Sequence, residues 1–78
     1  MIEKQQKIIV TFKTTLDAMA MEEICMEKKI EGRLIPLPKK IAASCGMAFC
    51  ADVSKESEIL LLLKEEDVSF QGIYYEWI

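Results

Sequence analysis

The chain holds three cysteines, Cys25, Cys45 and Cys50, and no histidine. Without histidine the commonest general base is missing, so Ser/His/Asp catalysis and a histidine metal site are both excluded. Three cysteines at these spacings make a poor zinc or iron–sulfur ligand set, and no metal or cofactor is expected. The remaining chemistry is that of the thiol. A thiolate can attack and hold a sulfur or selenium atom, provided it has exposure, positive potential and room for the incoming atom.

Context separates the three. Leu34-Ile35-Pro36-Leu37-Pro38-Lys39-Lys40-Ile41-Ala42-Ala43-Ser44-Cys45-Gly46 begins like a strand, breaks at two prolines and crosses a basic loop to a Ser-Cys-Gly turn. Cys45 is therefore the candidate nucleophile. Gly46 would admit a closely approaching backbone or an unusual dihedral. Ser44 would hydrogen-bond the sulfur or cap the turn. Lys39 and Lys40 would draw an anionic substrate or an acidic partner surface. Against this stands a plainer reading, in which Cys45 is a small buried hydrophobe, Gly46 a turn residue and the lysines solvated. Cys50 lies in a predicted strand and Cys25 on the inner face of a predicted helix, so both read as structural.

The elements that would position Cys45 follow from periodicity. Lys7 to Phe12 is β-branched and nearly all apolar, a central strand covered on at least one face. Thr14 with Asp17 resembles a capping box, and a helix from about Thr15 to Lys29 follows. Ala18, Met21, Ile24 and Cys25 share its inner face, and Met19 and Met26 fall opposite. Arg33 to Leu37 is a second strand, confined to a sheet edge by Pro36. Gly46 to Ala51 is a third, with Met47 and Phe49 pointing one way and Ala48 and Cys50 the other. Ser54 is the expected N-cap of a second helix, about Lys55 to Glu66. Ile59, Leu62 and Leu63 form its inner face, and Leu60 and Leu61 widen the stripe. Ile73 to Ile78 is an aromatic-rich last strand.

This βαββαβ order predicts one α+β domain over residues 1–78, a ferredoxin-like two-layer sandwich with antiparallel sheet order 4-1-3-2. In that topology the loop from Pro38 to Cys45 lies beside Lys13, Thr14 and Thr15. Cys45 then faces the N-terminus of the first helix, which with Lys39 and Lys40 favours thiolate over thiol.

The formal net charge of −3 argues against a nucleic-acid partner. The run Ile8 to Val10 is too short for a signal-peptide core and Ile59 to Leu63 too short to span a bilayer, so a cytoplasmic location without membrane partners is expected. Reduced, unpaired cysteines fit that compartment.

The pieces Val10-Thr11-Phe12, Ala18 with Glu22, Arg33 to Pro38 and Ser44-Cys45-Gly46-Met47-Ala48 together resemble the selenium/sulfur carrier-like family of small bacterial proteins. The Pro-x-Pro to Cys-Gly segment is the most specific part. The Cys-Pro-x-Pro helix-start motif of other sulfur-relay carriers is missing. The resemblance implies that Cys45 holds a persulfide or perselenide, received from a cysteine desulfurase-like donor and passed to an acceptor enzyme. That is a carrier rather than a stand-alone enzyme. Two other readings remain: a non-catalytic interaction module that homodimerises through Leu60, Leu61, Met19 and Met26, and a thiol redox sensor that bridges Cys45 and Cys50.

Overall fold

The computed structural model describes residues 5–41, 43 and 45–77. The elements run β1 (Gln6–Thr11), α1 (Thr15–Glu27), β2 (Arg33–Pro36), β3 (Met47–Asp52), a 3₁₀ turn (Val53–Lys55), α2 (Glu56–Glu65) and β4 (Gly72–Trp77). The strands form one antiparallel sheet in the order β2-β3-β1-β4, the expected 4-1-3-2 read from the other edge. The proline-bearing β2 sits at an edge, where the missing N–H of Pro36 costs no ladder bond.

β1 is central because its apolar residues serve both faces. Ile8, Ile9 and Val10 are completely buried. Ile8 and Val10 join Phe49 and Ala51 of β3, Ala18, Met21 and Cys25 of α1, and Ile59, Leu62 and Leu63 of α2 in one core. Both helices thus pack on the same face of the sheet. Ile9 points the other way and meets Ala48, Cys50 and Ile41, with Ile35 and Leu37 packed against them. Ile41 comes from the basic loop. A β-turn closed by the Ile41 N–H on the Pro38 carbonyl (3.0 Å) folds it onto the open face of the sheet.

Thr14 caps α1 as its sequence predicts, its hydroxyl accepting from the Asp17 N–H at 3.2 Å. The helix ends at Glu27, two residues short of Lys29, and Lys29 itself takes the left-handed conformation with φ 59°. The second helix starts differently from expectation. Ser54 is not its N-cap: the Asp52 carboxylate accepts from the Ser54 N–H at 2.9 Å and caps the 3₁₀ turn, with α2 beginning only at Glu56. An Asx-type contact by the last residue of β3 captured the backbone first.

Gly32 is fixed by close approach. A Cβ there would lie 2.3 Å from the Phe49 ring and 3.1 Å from the Cys50 carbonyl. The chain entering β2 therefore presses against the aromatic ring that fills the core beneath it.

Candidate functional site

The loop ahead of β3 delivers Cys45 to the end of the sheet where β1 leaves and α1 begins. Its N–H donates to the Phe12 carbonyl at 3.2 Å. This bond continues the β1–β3 pairing, in which Thr11 faces Ala48, past the end of the ladder. The Leu37 N–H donates to the Gly46 carbonyl at 2.9 Å and does the same on the β2 side. The Cys-Gly turn is thereby tied to both neighbouring strands.

The Cys45 Sγ lies 3.7 Å from the Thr15 hydroxyl, within hydrogen-bond range for sulfur. Thr15 is the first residue of α1, so the sulfur stands at the positive end of that helix dipole. The loop and the helix start meet as the topology requires. The sulfur is nevertheless covered: Cys45 is 4% exposed and packs with the main core. A loop residue next to glycine reads as open in sequence, but the bond to Phe12 turns this one inward.

The surrounding residues divide. Gly46 is exposed, and a Cβ added there meets no atom within 4 Å. Its φ is not positive, so neither close backbone approach nor an unusual dihedral requires glycine at this position. Its consequence is open space beside the cysteine. Lys39 and Lys40 are exposed in the turn that carries Ile41. Thr14 caps the helix whose first residue, Thr15, faces the sulfur. Ser44 lies outside the described residues.

The other cysteines occupy different environments, and all three are unbridged. Cys25 is 1% exposed on the inner face of α1, and burial pushes its thiol up to about 11. Cys50 belongs to the cluster on the opposite face of the sheet from Cys45. The strand from Met47 to Cys50 spans roughly 10 Å by itself, whereas bridged Cα atoms lie within about 7 Å. A Cys45–Cys50 disulfide would have to join side chains packed on opposite faces of the sheet. No group of three or more cysteine or carboxylate side chains among the described residues is arranged to hold a metal.

The family model described as "Putative Se/S carrier protein-like" matches residues 7–75, nearly the whole chain. The chain belongs to this family. The match takes in every element from β1 to most of β4 and the complete Pro-x-Pro to Cys-Gly segment. No curated protein and no solved structure matches the chain. For the Se/S carrier-like domain described here, no helix among the described residues is long and apolar enough to cross a membrane.

The sequence placed Thr15 beside the Cys45 loop but gave its hydroxyl no part in the site, and it missed Ile41. The Thr15 hydroxyl faces the sulfur because the Phe12 carbonyl anchors the Cys45 N–H. Ile41 is the one large apolar residue between two lysines and two alanines, and that isolation was the available signal.

Proposed function

We propose that this protein carries a sulfur or selenium atom on Cys45, as a persulfide or perselenide, between a cysteine desulfurase-like donor and an acceptor enzyme. The observation that carries the reading is the meeting of three features at one point: the Cys45 sulfur, the N-terminus of α1 with the Thr15 hydroxyl at 3.7 Å, and the empty space beside Gly46. A helix N-terminus suits an anionic sulfur chain. Family membership supports the same role.

Loading is a thiol–persulfide exchange. The Cys45 sulfur attacks the outer sulfur of the donor persulfide. The donor S–S bond breaks, and its electron pair leaves with the donor thiolate, which takes up the proton that Cys45 gives up. A new S–S bond forms on Cys45 with no net oxidation. The acceptor repeats the step in reverse. At 4% exposure the sulfur is uncovered on docking of the partner rather than in the free protein. Gly46 keeps the partner's path free of side chains, and exposed Lys39 and Lys40 attract an acidic partner surface. The βαββαβ order and the 2-3-1-4 sheet support a ferredoxin-like assignment for the scaffold. A cytoplasmic setting keeps the thiol reduced between cycles.

A carrier requires Cys45 to react with a neutral alkylating agent in the folded state once a cysteine desulfurase is bound, and faster than in the free protein. Reaction of all three only on unfolding would contradict it. One observation favours the interaction module: Met19, Met26, Leu60 and Leu61 are all exposed. That reading predicts concentration-dependent sedimentation and partner binding that survives Cys45→Ser unchanged. A carrier with the same substitution loses transfer.

A further inference from the structure

At the end of the sheet away from Cys45, a cleft of about 380 Å³ opens between the starts of β1 and β2 and the end of β3. Lys7, Arg33 and Lys55 line it with Glu31 and Asp52, so cations outnumber carboxylates in a protein of net charge −3. Cys50 also lines it. The register explains why these residues converge. Arg33 is directly opposite Cys50 across the β2–β3 pair, and Lys7 is one diagonal step away, with Ile9 paired to Cys50 and Lys7 to Asp52. Facing residues in an antiparallel pair have Cβ atoms about 5 Å apart.

The three cations are not equally engaged. Lys7 pairs with Asp52 at 3.8 Å and Lys55 with Glu58 at 3.8 Å. Arg33 forms no ion pair among the described residues. Its guanidinium presents a planar fork suited to a carboxylate. Cys50 is 8% exposed, so the little of it that solvent reaches belongs to a residue lining this cleft. Burial holds the Cys50 thiol above its ordinary range, and Lys7 and Arg33 offset only part of that rise.

We propose that this cleft is a binding site for a small carboxylate-bearing disulfide, which rests its carboxylate on Arg33 and Lys7 and exchanges with the Cys50 thiol. The Cys50 sulfur attacks one sulfur of the disulfide. The disulfide bond breaks, a mixed disulfide forms on Cys50, and the leaving thiolate takes the electron pair and the Cys50 proton. The small disulfide is the oxidant, and one of its halves is released as a thiol. The site is separate from Cys45 and does not depend on the carrier reading.

The test compares two disulfides of opposite charge, oxidised glutathione and cystamine, on the folded protein. Cleavage at Met47 separates Cys45 from Cys50, so mass analysis of the fragments assigns each adduct. Oxidised glutathione should modify Cys50 at least about tenfold faster than cystamine, with the preference shrinking as salt is raised. Arg33→Gln and Lys7→Gln, both checked for retained fold by circular dichroism, should each reduce the preference, and the double variant should abolish it. Equal rates for the two disulfides, or no folded-state adduct on Cys50, would overturn the proposal. So would a preference that persists in the double variant.

Discussion

The two ends of the sheet each hold a cysteine and a glycine, and they use them in opposite ways. At one end Cys45 is tucked under the start of α1, while the neighbouring Gly46 faces open space. At the other end Cys50 borders a charged cleft, while Gly32 is pressed against the Phe49 ring. The first end has a covered sulfur with an open approach. The second has an open cleft over a rigid wall. The same residue types thus give a candidate transfer site where the backbone is free, and a shaped pocket where it is tight.

The sharpest way to break this comparison is to add one methyl group at each end. Gly32→Ala drives a Cβ into the Phe49 ring and the Cys50 carbonyl, and it should cost about 2 kcal/mol in urea denaturation. Gly46→Ala meets nothing within 4 Å and should change stability by less than about 0.5 kcal/mol. A bulkier Gly46→Leu should fold equally well yet slow sulfur loading. If it loaded at the wild-type rate, the open approach would have no functional meaning.

Next in size is an alkaline effect from the core. The Cys25 thiol is raised from 9.0 to about 11 by burial. The folded state therefore keeps the neutral form that the unfolded chain begins to lose near pH 9. This contribution is fully present below that pH and is lost as pH rises through about 11. The loss is on the order of 2 kcal/mol. Cys25→Ala should flatten the stability profile over this range, as thermal melts at successive pH values would show. An unchanged slope would mean that other groups set it.

Smaller again is the cap. Thr14→Ala removes the acceptor for the Asp17 N–H and should cost ~1 kcal/mol. It should also loosen the helix start that faces Cys45, raising the rate of Cys45 alkylation relative to Cys25. Peptide mapping after timed labelling measures both rates together.

Much of this scaffold could be read from the sequence because its signals are local. The β-branched run at Ile8 to Val10, the Thr14–Asp17 cap and the edge-marking Pro36 each specify their own element. Alternation along β3 correctly separated Met47 and Phe49 from Ala48 and Cys50. What stayed hidden depends on register or on competition between near neighbours. Lys7, Arg33 and Cys50 are far apart in the chain and meet only through strand pairing. Cys45 turns inward because its N–H finds the Phe12 carbonyl, a long-range bond that no neighbouring residue announces. Asp52 displaced Ser54 as a cap because the two compete for the same turn.

The central claim concerns Cys45, and loading tests it most directly. The protein would be incubated with a cysteine desulfurase and cysteine, its intact mass measured, and its fragments mapped after cleavage at Met47. A sulfur-mass adduct confined to the Cys45 fragment, and absent from Cys45→Ala, is the predicted result. No adduct, with Cys45 also inert to alkylation until the protein unfolds, would make this cysteine a core residue and contradict the account.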